Sequence, residues 1–73
     1  MEEQVPRYFF NVRIPDEADR EDSAGTVYHH DIDALDYAYR VIQELKHGGD
    51  YGAPGIMMIV KDHTGRIVFS IPF

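Results

Sequence analysis

Between Pro6 and Pro15 the chain alternates. Tyr8, Phe10, Val12 and Ile14 are apolar, while the intervening Arg7, Asn11 and Arg13 are polar, and only Phe9 breaks the pattern. Successive side chains of a strand point to opposite sides, so a period of two predicts a β-strand with one buried face. Its aromatic and β-branched content and its flanking prolines agree with that reading. The charged stretch "DEADREDSAG" follows and reads as a solvated loop closed by a turn at Gly25. "TVYHH" then predicts a short second strand that pairs back on the first.

From Asp31 the period lengthens to 3.6. Leu35, Ala38, Tyr39, Ile42 and Leu45 form one stripe, with Asp33, Asp36, Arg40, Gln43 and Glu44 opposite, which predicts an amphipathic helix. Asp31 is the expected N-cap, Lys46 and His47 suit the last turn, and Gly48 is the expected left-handed residue after it. Beyond the loop "DYGAPG", the run "IMMIVKD" is too short and too β-branched for a helix and predicts a third strand. "DHTG" reads as a tight turn in which Asp62 accepts from the backbone and Gly65 takes a positive φ. "RIVFSIPF" returns as a fourth strand, with Ile67, Phe69, Ile71 and Phe73 expected on one face. Pro72 lacks an N–H, so it belongs at a strand end or on a sheet edge. The order β-β-α-β-β defines an α+β domain: a small antiparallel or mixed sheet with one helix packed on one face. Residues 1–5 read as a leader and residues 6–73 as a single α+β domain.

Composition narrows the setting. Seventy-three residues with 44% hydrophobic content suit one globular domain. A chain of this size buries only about 60% of the surface that it exposes when unfolded, which favours self-association as a source of further burial. The absence of cysteine removes disulfides and thiolate metal sites. A formal net charge of −6 argues against generic phosphate binding, which needs many cations. "MEEQVPR" carries acids where a signal peptide needs bases, and no apolar run reaches the roughly 18 residues of a membrane span. The cytoplasm is the expected location.

The opening "PRYFF", the helix start "DIDAL", the spacing of Asp62 and Gly65, and the ending "PF" occur together in order. In this the chain resembles a family of small bacterial proteins carrying a domain of unknown function, over nearly its whole length from Pro6 to Phe73. "SAGTVYHH" departs from the family, where a more acidic glycine turn leads into the helix. The resemblance implies no activity, cofactor or catalytic residue.

Function has to be sought on the sheet face that one helix cannot cover. Alternation places Arg7, Phe9, Asn11 and Arg13 there from the first strand. It adds Met57, Ile59 and Lys61 from the third, and Arg66, Val68 and Ser70 from the fourth. An apolar centre with a basic rim marks a contact surface. The expectation is a non-enzymatic module that self-associates, as a dimer, through Phe9, Arg13, Met57, Ile59 and Val68, or that meets another protein there. The alternative is a regulatory nucleic-acid-associated or antitoxin-like protein using Arg7, Arg13, Lys61 and Arg66. Nucleic-acid platforms usually offer about two or three stacking aromatics, and only Phe9 qualifies.

Other chemistry finds no constellation. The acidic loop lacks the alternating oxygen ligands and terminal Glu of a calcium loop. His29 and His30 are neighbours that would face opposite ways on a strand, and His47 and His63 read as a helix-end residue and a turn residue. Ser23 and Ser70 sit in no nucleophile elbow. "GGDYGAPG" follows a helix and has no Lys, unlike a phosphate cradle. No cofactor, metal or catalytic residue is expected.

Overall fold

The computed structural model describes residues 6–49 and 51–73, and the expected leader at 1–5 lies outside the described residues. The elements follow in the order β1 (Arg7–Arg13), β2 (Thr26–Val27), α1 (Asp31–His47), β3 (Met57–Lys61) and β4 (Ile67–Pro72). They form a four-stranded antiparallel sheet in the spatial order β2-β1-β3-β4, so this is the α+β architecture with α1 on one face. Among the described residues, no helix is long and apolar enough to cross a membrane.

The alternation in β1 sets the core. Tyr8, Phe10, Val12 and Ile14 all turn inward, where they meet Ala34, Ala38 and Ile42 of α1 and Ile56, Met58, Val60 and Ile71 of the sheet's other half. Burial of apolar surface from both layers is what holds the helix to the sheet. Phe10 meets Tyr37 edge-on at 4.9 Å between ring centres, and Tyr28 closes the same cluster from the segment after β2. Edge-to-face contact suits rings whose faces are electron-rich and whose edges are not.

The helix differs from expectation in three details, each with a local cause. Its buried stripe runs through Ala34, Ala38 and Ile42, flanked by Leu35, Val41 and Leu45, and Tyr39 is 51% exposed. Alanines at the two closest points put the stripe centre one position earlier, so Tyr37, not Tyr39, reaches the core. The N-cap is His30, extended at φ −133° and without a side-chain cap bond; Asp31 already lies within the helix. The Asp31 carboxylate is drawn instead to the Tyr8 hydroxyl, which donates to it. A buried tyrosine needs a partner for its O–H, and that demand outweighs capping here. At the other end Gly48 is still right-handed (φ −70°), and Gly49 takes the left-handed conformation at φ +83°.

The hairpin β3–β4 turns as the sequence predicts. The Asp62 carboxylate accepts from the Thr64 and Arg66 amides and from the Thr64 hydroxyl, while Gly65 stands at φ +87°. Beyond the turn the register slips. Lys61 faces Ile67, but Val60 faces Phe69, so Val68 is an extra residue in a bulge. This corrects the expected facing of β4: Ile67 moves to the outer face, and Val68 packs against the core with Phe69, Ile71 and Phe73. At the far end the Phe73 amide donates to the Ile56 carbonyl, so in the alternating ladder the nitrogen of Pro72 faces away from β3. Its missing N–H leaves no ladder bond unmade.

Candidate functional site

The pairing registers lay out the sheet face opposite α1 in rows. Phe9, Lys61 and Ile67 stand abreast, then Asn11, Ile59 and Ser70, then Arg13, Met57 and Pro72, with Arg7 beside Val27 at the β2 side. Phe9 and Met57 are half-buried on this face and Arg13 is exposed, as alternation requires. Two of the residues expected to be open to a partner are not. Ile59 is only 4% exposed, because β3 is an inner strand and its neighbours Asn11 and Ser70 hem it on both sides. Val68 is turned to the core side by the bulge. Two others take their place: Ile67 and Val27, 49% and 44% exposed. The run Ile67-Val68-Phe69 did not give the slip away, since Met57-Met58-Ile59-Val60 is equally apolar and keeps an unbroken register with β1.

The four cations read as one basic patch are dispersed among different contacts. Arg13 lies 3.6 Å from Asp19, and Arg66 lies 3.4 Å from Asp62 within its own turn. Arg7 donates to the Ala24 carbonyl at 2.9 Å. Exposed pairs of this kind contribute little stability, but they aim each side chain at its own chain. Lys61 has no ion pair among the described residues.

Around Lys61 the face deepens into an open cleft of about 300 Å³. Phe9 and Asn11 form its floor, Glu21 and Asp22 one wall, and Lys61 and His63 the other. Each wall stands on a carboxylate that binds backbone amides, Asp22 on one side and Asp62 on the other. The Asp22 carboxylate accepts from the amides of Phe10, Ala24 and Gly25, and the Asp22 backbone amide donates to Asn11 Oδ1 at 2.8 Å. Gly25 sits so close to the floor that a Cβ there would lie 2.9 Å from Phe9 Cε1, Arg7 Cγ and the Tyr8 carbonyl. Gly25 also has a φ of +72°, so glycine is required on two counts. The opposite wall is fixed by the Asp62 turn. Hydrogen bonding, first of all from Thr64, holds the Asp62 carboxyl below the usual carboxylate range, against a smaller opposing effect of burial.

The remaining titratable groups are dispersed. Burial first, then the bond to Asp31, pushes the Tyr8 hydroxyl up to about 12, which makes it a structural donor at neutral pH. Burial likewise raises Tyr28. His29 and His30 are exposed ahead of α1, His47 is exposed at its end, and His63 lies in the β3–β4 turn. Among the described residues, no three histidine or carboxylate side chains converge as a metal site would require.

A family model described as a domain of unknown function (DUF6894) matches residues 7–73. None of the curated proteins and none of the solved structures matches the chain.

Proposed function

The chain belongs to that family of domains of unknown function, and we propose that it is a non-enzymatic interaction module that self-associates through the sheet face opposite α1. The observation that carries the reading is that Ile67 and Val27, both near half exposure and on opposite rims, share one sheet face with the half-buried Phe9 and Met57. A second copy fits this face for two reasons. A domain of this size has little buried surface to spare, and association adds more without lengthening the chain. Lys61, which has no ion pair among the described residues, also matches the exposed acids Asp16 and Glu17 of a neighbouring copy's loop. The nucleic-acid alternative is less well supported, because Arg7, Arg13 and Arg66 each point at a group of their own chain.

Light scattering with mass determination tests the proposal. The wild-type chain should have twice the mass of one copy, and Ile67→Asp and Val27→Asp should each return it to that of one copy with an unchanged circular dichroism spectrum. These positions are better probes than Phe9, whose ring is packed over Gly25 and whose removal would disturb the fold itself. A wild-type mass equal to one copy across the concentration range, or variants that keep the doubled mass, would overturn it.

A further inference from the structure

The cleft beside Lys61 lies on the face proposed for self-association and shares Phe9 and Lys61 with it, but it also brings Glu21 and Lys61, side chains of opposite charge, to one opening. Its two carboxylates of fixed role, Asp22 and Asp62, are committed to backbone amides, and Asp62 is further neutralised by Arg66. The groups left to meet a ligand are Glu21 on one wall and Lys61 and His63 on the other, with the Phe9 ring between them. The Asn11 carbonyl oxygen is taken by the Asp22 amide, which turns its amide nitrogen out as a further donor. Glu21 and the cations thus stand on different sides of a floor made by the Phe9 ring and the Asn11 amide. At about 300 Å³ the space lies at the lower limit of small-molecule pockets, too small for a nucleotide cofactor.

We propose that this cleft binds a small amphipathic zwitterion of the free α-amino acid class. The ligand's carboxylate meets Lys61 and the Asn11 amide, its ammonium meets Glu21, and its apolar side chain lies on Phe9. A simple anion meets repulsion from Glu21 and Asp22, and a simple cation meets repulsion from Lys61; only a ligand with both charges satisfies both walls. The loop and the turn that carry these groups are held by the bonds of Asp22 and Asp62, so the backbone of the cleft is formed before any ligand arrives.

Titration of the full chain with leucine, followed by amide NMR shifts, tests the assignment. Saturable shifts are expected at Asn11, Ser23, Lys61 and His63, with a dissociation constant of about 1 mM, as suits an open site. N-acetylleucine, which lacks the ammonium, and leucine methyl ester, which lacks the carboxylate, should each fail to saturate. Lys61→Met and Glu21→Gln should each weaken leucine about tenfold, the loss of one charge-assisted hydrogen bond. Both side chains project from the surface, so the amide spectra should show that both variants remain folded. The absence of saturable shifts in the wild type would overturn the proposal, as would equal response to the two blocked derivatives, or unchanged leucine affinity in both variants. The mass measurement on the unliganded chain reports separately on self-association, so either reading can fail alone.

Discussion

Gly25→Ala puts a methyl group where the chain has two independent objections to it. The first is the backbone: at φ +72° an L-residue is disfavoured by about 1–2 kcal/mol. The second is space. The new Cβ would lie 2.9 Å from Arg7 Cγ, from Phe9 Cε1 and from the Tyr8 carbonyl oxygen. The arginine stem can swing aside, but the carbonyl belongs to β1, which is paired on both sides, and the Phe9 ring rests on the sheet. Overpacking of this sort costs about 1–3 kcal/mol more. Gly65→Ala isolates the first effect, since its φ is +87° and a Cβ there meets nothing within 4 Å. Gly49→Ala, at φ +83° and equally open, repeats the control. A chain of 73 residues is stable by about 4–11 kcal/mol, so a total near 2–5 kcal/mol for Gly25→Ala is readable without abolishing the fold in most of that range. In urea, with a slope of about 1 kcal/mol per molar for a small domain, the Gly25→Ala midpoint should lie about 1–3 M below that of Gly65→Ala. Coincident midpoints for the two variants would show that the close approach to β1 carries no energy, and the account of how Phe9 is seated would fall with it.

Three further outcomes follow from particular contacts. The folded chain raises the Tyr8 pKa from 10.0 to about 12, so it favours the protonated hydroxyl; that contribution is complete below pH 10 and is lost as pH climbs towards 12, and urea midpoints should fall more steeply over this window in the wild type than in Tyr8→Phe. Asp62 is shifted the other way, below its ordinary 3.8, so its contribution is present above that value and is lost as pH falls through the lowered one. Asp62→Ala should therefore lower the thermal midpoint at neutral pH and lose that difference in strong acid. Met58, wholly enclosed on the inner strand, should cost about 2–5 kcal/mol on replacement by alanine, whereas Tyr39→Ser should stay within about 0.5 kcal/mol by the same denaturation assay.

What could be read from the residues was whatever local chemistry decides. Four apolar side chains at a spacing of two gave β1 its inner face, and the Asp62 and Gly65 pair gave the turn, because each answer lies within a few residues. The errors arose where distant parts of the chain competed for one group. Asp31 was free to cap the helix until Tyr8, 23 positions away, claimed its carboxylate. Val68 obeyed alternation until the pairing of Val60 with Phe69 forced a bulge. Ile59 looked exposed because sequence shows which face a residue takes but not that its strand is flanked on both sides. The cleft was invisible for the same reason: its walls lie some forty residues apart, at Glu21 and Lys61, and come together only through the β1–β3 pairing.

The two rims of the sheet set how far any assembly can grow. One rim is β2, two residues long, and beside it the amides of Phe10 and Val12 are already taken by Asp22 and Arg20. The other is β4, where Pro72 turns a nitrogen without hydrogen towards the outside. Among the described residues both rims therefore interrupt the row of donors that a newcomer strand would pair with, which disfavours edge-to-edge polymerisation. If copies associate through the face proposed above, a pair joined that way would have consumed its sticky surface and would stay finite at high concentration.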